Sequence, residues 1–431
     1  MVLGVRIPRI LARACAGALL GALAAGCSLG GASQSLAVSH ETCPETVLST
    51  LGKVVARVYR EGVDSERTIV ARQLITRSLP LREAVQRRDP AAAEAAARAL
   101  VAGGKLSALI VTVDGRTLAR VGSPSLAPFG GSLPGGPGAP AASYLTSVWS
   151  DSGFVTESAG IAEGAIALRV GGRDLPGSST LLPGGLPALG AVTVAGRRYQ
   201  YVSVAGTVFP AGAAVRIYLA RSASSIAPYC GASATDTTVN TLRHIARLIY
   251  AGEAGRRTVP LIRRVQRYRP LLLAVARNEP AAAESAIKEI LNHHIVRIRV
   301  YARPTLAASG GAAGARASQQ PQPLADVGGP YVLAPVTAPL TLEGRRIGSL
   351  VLSIQDDEGY LRLTRRLVGL RVLMYMGAKL VKNSLGGDPE NVPQAGPYTY
   401  GGHEYRVFTL HAKAFPSGPL RIDVFVPVPY A

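Results

Sequence analysis

The sequence predicts an α+β protein built as two tandem copies of one unit, each with N-terminal helices followed by an antiparallel sheet. Three observations carry this. RRDPAAAEAAARAL (Arg87 to Leu100) returns as RNEPAAAESAIKEI (Arg277 to Ile290), identical at seven of fourteen positions. Apolar residues at helical spacing open each half, and alternating strand-like runs close it. The period of about 190 residues is far above that of a solenoid, so it marks two domains rather than stacked repeats.

The helical openings are TVLSTLGKVVARVY ending at Tyr59 and TTVNTLRHIARLIY ending at Tyr250, followed by LPLREAVQRRDP (79–90) and RPLLLAVARNEP (269–280). Each half therefore begins with two or three amphipathic helices. Asp89-Pro90 and Glu279-Pro280 fit helix starts, because proline in the first turn forfeits no hydrogen bond.

The period then changes. KLSALIVTVDGRTLARVGS (105–123) and HHIVRIRVYARPTLAASGG (293–311) each read as two short strands joined by a tight turn, with Asp114-Gly115 as a hairpin signal. Breaker-rich loops follow, SPSLAPFGGSLPGGPGAP in the first half and GGAAGARASQQPQPLADVGGP in the second. Strand, helix, strand is the reading of Tyr144–Val170 and Ser349–Tyr375. Two strands with a Phe-Pro turn finish each unit, in Gly196–Ala220 and Gly402–Val426. Pro90 to Pro280 is an offset of 190, Leu118 to Leu306 of 188 and Phe209 to Phe415 of 206. The difference, 206 − 188 = 18 residues, is expected around Tyr331–Gly348 as an added strand and turn.

The N-terminus MVLGVRIPRILARACAGALLGALAAGCSLGGASQS places Arg6, Arg9 and Arg13 before an uncharged apolar run that ends at Cys27, the plan of a secretory signal. Leu23-Ala24-Ala25-Gly26-Cys27 resembles a lipobox, which implies acylation of Cys27. Cleavage after Ala32 and an uncleaved anchor are the alternatives. All three place the rest of the chain outside the cytoplasmic membrane. The expected organisation is a signal over 1–27, a linker over 28–44, a domain over 45–222, a linker over 223–237 and a domain over 238–431. In an exported chain Cys43 and Cys230 most economically pair, with two buried free thiols as the alternative. The histidines show no zinc spacing, and neither a metal nor another cofactor is expected.

The formal net charge is +20. The excess lies in the body, with 19 − 12 = +7 over 45–222 and 25 − 13 = +12 over 238–431. Export and scattered arginines argue against nucleic acid. Anionic headgroups, acidic wall polymers and a small anion are the fitting partners, and a solvated basic surface is the alternative.

PLREAVQRRDPAAAEAAARAL followed by ALIVTVDGRTLA, and GRRIGSLVLSIQDDEGY in the second half, resemble Cache domains, the extracytoplasmic PAS-like sensors of bacteria. The resemblance covers roughly 45–222 and 238–429. It implies a small-metabolite pocket on the sheet, often for amino acids or carboxylates, and a report to a signalling module. The arginine-aromatic-aspartate signature of amino-acid-binding members is absent. No span follows the second unit, so any signal would pass through a separate membrane protein.

Comparison of equivalent strands on the 188 offset sets Leu109, Val111 and Val113 against Arg297, Arg299 and Tyr301. Two converging guanidinium groups would suit a carboxylate or phosphate. The alternative is internal ion pairing with Asp356, Asp357 or Glu358. Trp149 and Tyr375 are read as core before pocket. No GxSxG, Ser-x-x-Lys, Walker or GxGxxG motif supports catalysis, so the expectation is a binding protein and not an enzyme. The second reading is a structural or interaction lipoprotein that binds wall polymer or another protein.

Overall fold

A computed structural model describes residues 41–134, 141–210, 212–252, 258–291, 295–303, 322–415 and 418–431. The expected signal and Cys27 lie outside these residues, as do His293 and His294.

The first half opens with α1 (Cys43–Arg60), α2 (Glu66–Arg77), α3 (Leu79–Arg87) and α4 (Pro90–Ala102). Strands β1 (Ala108–Val113), β2 (Arg116–Gly122), β3 (Ser125–Leu126), β4 (Phe129–Ser132), β5 (Ala142–Ser147) and β6 (Trp149–Ser150) lead into α5 (Asp151–Ala162). β7 (Ala165–Val170), β8 (Arg173–Asp174), β9 (Leu189–Val194), β10 (Arg197–Phe209) and β11 (Ala214–Ser222) complete it, and the short α6 (Ala223–Ile226) leads out.

The second half repeats the order. It runs through α7 (Ala234–Gly252), α8 (Thr258–Gln266), α9 (Arg269–Ala276) and α10 (Pro280–Ile290), then β12 (Arg297–Ala302), β13 (Ala325–Gly328), β14 (Val332–Leu333), β15 (Val336–Leu342), β16 (Arg345–Ser353) and β17 (Gln355–Asp356). α11 (Asp357–Leu363) continues into a π-helical turn, Thr364–Val368. β18 (Arg371–Met376), β19 (Lys379–Asn383), β20 (Ala395–Tyr400), β21 (His403–Phe415) and β22 (Gly418–Pro427) close the chain.

The mixed α+β class is therefore right, with each half richer than expected. Four helices open each half instead of two or three, and each half carries two antiparallel sheets instead of one. The small sheets run β2-β1-β5-β4 and β13-β12-β16-β15. The large ones run β6-β3-β10-β11-β7-β8 and β17-β14-β21-β22-β18-β19, with β9 and β20 added beside β10 and β21. Identical strand orders make the duplication a structural fact.

Local chemistry explains the helix starts. Glu45 accepts from the backbone N of Thr42 at 2.8 Å and from its hydroxyl at 2.9 Å, ahead of Pro44. Asp89 Oδ1 accepts from Ala92 N at 3.0 Å, whereas Glu279, a methylene longer, makes no side-chain cap.

The large sheets share one core. Val47, Leu48, Leu51, Val54, Val55 and Val58 form a fully buried stripe along α1, and Leu242, Ile245, Ala246 and Ile249 form the equivalent stripe on α7. α1 packs on β10, β11, α7 and the π-helical turn of the other half, while α7 packs on β21, that turn and α5. One hydrophobic cluster thus runs through the helices into the inner faces of both large sheets. Glu61 at the end of α1 pairs with Arg366 in the π-helical turn. Tyr430 donates its hydroxyl to Val368 O at 2.8 Å, and its carbonyl accepts from Lys53 Nζ at 2.5 Å. Each small sheet has its own core, against α3 and α4 in the first half and against α9 and α10 in the second. Residues 41–431 form one compact unit, and a chain starting at Glu41 keeps every one of these core contacts.

Register corrects the sequence comparison. Ser147 Oγ donates to Leu126 O and also reaches Trp149 O at 3.1 Å; Ser353 Oγ donates to Leu333 O and reaches Gln355 O at the same distance. These serines are equivalent, and they face Ala108 and Arg297. The true offset on this strand is therefore 297 − 108 = 189. Leu109, Val111 and Val113 correspond to Ile298, Val300 and Ala302, and Arg297, Arg299 and Tyr301 stand where the first half has Ala108, Ile110 and Thr112. A slip of one residue exchanges the faces of a strand.

The inserted residues also move. Ala108 faces Gly122 and Arg297 faces Gly328, an offset of 328 − 122 = 206. The insertion is 206 − 189 = 17 residues and lies between β12 and β13, not around Tyr331–Gly348, which holds β14 and the β15–β16 hairpin. β1 and β2 do turn at Asp114-Gly115, both at positive φ. The strand beside β12 is Ala325–Gly328, inside the stretch read as a breaker loop, and the second strand and tight turn expected directly after β12 fall at 304–311, outside the described residues.

Gly122 and Gly328 hold φ of 118° and 136°, and a Cβ on them would stand 2.4 Å from Ala108 Cα and 2.3 Å from Val296 O. Alanine at either site should destabilise the protein by at least about 1 to 3 kcal/mol, to be measured by urea unfolding. A change below 0.5 kcal/mol at both would show that the small-sheet edge yields freely.

Cys43 and Cys230 stand at disulfide distance, Cα to Cα 5.6 Å, across a separation of 187 residues. Chain entropy sets about 5 kcal/mol as the ceiling for such a crosslink. Unfolding with and without a thiol reductant should show a loss of several kcal/mol. Identical curves would mean that the bridge contributes nothing to stability.

Candidate functional site

The most distinctive polar site lies on the second small sheet, on the face turned away from α9 and α10. In β12, Ile298 and Val300 are fully buried toward those helices. Strand alternation sends Arg297, Arg299 and Tyr301 to the other face. The period-2 pattern continues to Arg303.

Asp326 on β13 takes both inner arginines. Arg297 Nε donates to Asp326 Oδ1 at 2.7 Å, and Arg299 donates to Oδ2 from Nε at 2.8 Å and from Nη2 at 2.5 Å. Arg297 Nη1 also donates to Gly329 O at 2.7 Å, and Arg299 Nη1 reaches Tyr301 OH at 3.4 Å. The Phe415 ring, from the large sheet, lies 5.5 Å and 4.5 Å from the two guanidinium carbons. All three charged side chains are less than a fifth exposed.

Burial alone would raise the Asp326 carboxyl. The hydrogen bonds and charges of Arg297 and Arg299 outweigh it and hold the group below the usual carboxylate range. Burial likewise pulls the Arg299 guanidinium down, and the bonds to Asp326 and Tyr301 outweigh it, so its affinity for the proton rises. Internal pairing of Arg297 and Arg299 is thus what the structure shows, with Asp326 as the partner rather than the acidic run at 356–358. Asp356 caps α11 through Gly359 N at 2.6 Å, and Glu358 pairs with Lys382 at 2.5 Å. Asp357 is buried near the same lysine, and burial raises its carboxyl above the usual range.

Tyr301 sits in the open part of this face. With Arg303, Thr337, Arg346, Ser349 and Val351 it lines a groove of about 480 Å³ formed by β12, β15 and β16. The guanidinium groups of Arg303 and Arg346 have no ion-pair or hydrogen-bond partner among the described residues. Of the three residues singled out from sequence, then, Tyr301 belongs to the groove, while Arg297 and Arg299 form the paired wall behind it. Arg303 and Arg346 were missed; the alternation of 297, 299, 301 and 303 was the available signal for the first, and nothing in the sequence linked it to Arg346.

The equivalent face of the first half carries Ala108, Ile110 and Thr112 on β1. Arg303 is replaced there by Asp114, which Arg88 neutralises at 2.6 Å. Trp149 is core: its indole donates to Val58 O at 3.1 Å. Tyr375 lies half-buried under Arg421, 4.1 Å from its ring centre.

A second charged group sits on the outer face of the second large sheet. Asp423 is 1% exposed, accepts from Thr409 Oγ1 at 2.6 Å and lies 3.3 Å from Arg421 Nε. Burial pushes its carboxyl above the usual range, against the hydrogen bond from Thr409 and the nearby charges of Arg421 and His411. Among the described residues no cluster of three or more His, Cys, Asp or Glu is placed to hold a metal ion. No described helix is long and apolar enough to cross a membrane.

Comparison with protein-family models, curated proteins and solved structures finds no match to this chain.

The two aspartates give opposite expectations for one substitution. Asp326 has a lowered carboxyl, so its contribution is present above the unfolded value near 3.8 and is lost as pH falls through the folded one. Asp326→Asn should cost about 3 kcal/mol at pH 7, and less as pH drops toward 3. Asp423 has a raised carboxyl and favours its protonated form when folded, so its ionisation opposes folding at neutral pH. Asp423→Asn should leave stability at pH 7 unchanged or increase it. Urea unfolding at pH 7 and pH 4 checks both, and equal losses at pH 7 would refute the assignment.

Proposed function

We propose that this chain is an exported, lipid-anchored protein whose Cache-like halves form one body that binds a small anionic ligand and reports it to a separate membrane protein. The ligand site is the groove of Tyr301, Arg303, Thr337, Arg346 and Ser349. A single observation carries the reading: two sheets of identical topology differ here in chemistry, and the second presents Arg303 and Arg346, without a partner among the described residues, over hydroxyl side chains, where the first has Asp114 paired with Arg88 in place of Arg303. Divergence confined to one copy of a duplicated surface is what a binding site requires and a shared core does not.

The groove suits a carboxylate or phosphate. Arg303 and Arg346 supply forked donors, and Tyr301, Thr337 and Ser349 can donate to further oxygens. The Arg297–Asp326–Arg299 group keeps one net positive charge beneath it, which favours an anion without offering it a free fork. The cysteine pair at disulfide distance supports a compartment outside the cytoplasm, and the basic flank before an apolar run at the N-terminus supports export. The reading assigns no catalytic step and needs no cofactor.

Thermal and urea unfolding of residues 41–431 against carboxylates, amino acids and phosphates tests this. A ligand at 100 times its dissociation constant should add about 2.7 kcal/mol to the wild type, and Arg303→Ala with Arg346→Ala should remove the effect while the unliganded fold stays intact. Asp114→Ala, at the equivalent place in the first half, should leave it unaltered. Equal stabilisation of the double variant would sink the groove assignment. A folded wild type silent to the whole panel would favour a wall-polymer or protein-binding role.

A further inference from the structure

Most of the strongly exposed apolar side chains among the described residues lie along one helix. Among the described residues seven large hydrophobic side chains are more than a third exposed, and five of them, Val63, Ile69, Val70, Leu74 and Leu79, lie on or beside α2. A random scatter of surface leucines and valines carries no meaning; a cluster does. α2 buries only Thr68, Ala71 and Ile75. Its other side presents Ile69, Val70 and Leu74 with Gln73 and Arg77, and Val70, Leu74 and Leu100 border a shallow depression of about 370 Å³ that reaches toward α4.

The charges along this face are mainly positive, with the exposed Asp64 beside Val63 at one end and Glu83, paired with Arg87, at the other. Residues 67–82 hold arginines at 67, 72, 77 and 82 and no acidic residue. Glu61 and Glu66, just before them, are turned to Arg366. Arg72 leans back over the Phe129 ring at 5.0 Å and donates to Gly130 O at 3.0 Å, which places its charge at the margin of the apolar strip. An apolar strip bordered by long cationic side chains matches a bilayer interface, where the aliphatic groups enter the acyl boundary and the guanidinium groups stay with the phosphates.

We infer that α2 and its flanks dock this protein side-on onto an anionic phospholipid surface. The argument is one of charge complementarity: residues 41–431, of net charge 20 − 3 = +17 once Arg6, Arg9 and Arg13 are set aside, an arginine series at five-residue spacing with no acidic residue inside it, and the principal exposed apolar strip among the described residues coincide. Each cation near such a surface favours binding, and the attraction falls with salt. The inference does not depend on the ligand groove, which lies in the other half, nor on acylation of Cys27.

Sedimentation of residues 41–431 with vesicles tests it, because this part lacks the apolar leader and keeps the whole core. Binding is expected to vesicles of equal phosphatidylglycerol and phosphatidylcholine, to weaken with added salt, and to be far lower on phosphatidylcholine alone. Ile69→Ser with Val70→Ser and Leu74→Ser should reduce partitioning at least tenfold, with unfolding unchanged. Leu189→Ser, an exposed apolar site on β9, should have no effect. Absence of binding to anionic vesicles, or equal binding by the triple variant, would overturn the inference. A concentration-dependent dimer of the wild type that the triple variant abolishes would overturn it too, by assigning the face to a second copy of the chain.

Discussion

The fold depends on a single helix layer that two open sheets must share. Each large sheet presents one apolar face that it cannot cover alone, since the small sheets and their helices have separate cores. α1 and α7 resolve this by packing against each other between the sheets. α1 contacts the π-helical turn of the second half, and α7 contacts α5 of the first. The exchange is reciprocal, as expected when a duplicated unit closes on its own copy in the manner of a twofold dimer. The Glu61–Arg366 pair and the Tyr430 contacts add polar ties across the same junction.

This constraint explains where the copies stayed alike. Buried positions of the shared layer are fixed from both sides, so α1 and α7 keep equivalent apolar stripes; where each small sheet joins its large one, the buried serines at 147 and 353 keep the same pair of carbonyl partners, and the small-sheet edge glycines at 122 and 328 keep their positive φ. Outer faces carry no such demand. On the large sheets each outer face is covered by its own connection: Tyr218 donates to Leu186 O at 2.7 Å in the first half, and Tyr398 to Glu390 O at 3.0 Å in the second. On the small sheets the outer face is free to change, and there the copies differ most.

Much of this was legible in the sequence, and the failures have a common physical source. Helical and strand periods located the elements, the repeat announced the duplicated plan, and Cys43 and Cys230 were the economical pair. What misled was register. An offset of 188 in place of 189 matches leucine to arginine almost as well by composition, yet it exchanges the two faces of β12. Only the strand partners, Ser353 for Arg297 and Gly328 across the edge, fix it. The two-sheet division was equally hidden, because antiparallel strands of either sheet have the same alternation, and the segment that changes sheets is only a few residues long. Asp326 escaped notice for a related reason: it sits in a stretch rich in glycine and proline that reads as a loop, and its role exists only once β13 is laid beside β12.

The arginine pair shows why a buried charge cluster and a binding groove can sit side by side without being one site. Two guanidinium groups on adjacent outward positions of a strand repel each other and lose water as Phe415 closes over them. Asp326 answers both at once, with one oxygen to each, so neither keeps a free fork for a ligand. The cluster still retains one positive charge, held in a fixed place by a rigid sheet and an aromatic lid. Charge that is fixed in place contributes field at the groove without the entropy cost of ordering a long side chain. Arg303 and Arg346, without a partner among the described residues, are left at the sheet's open end to supply directional bonds to the proposed anion. Long-range attraction and short-range recognition are thereby divided between different arginines of one face, and the first half has neither the paired cluster, with Ala108 and Ile110 in its place, nor an arginine where Arg303 stands, with Asp114 paired to Arg88 instead.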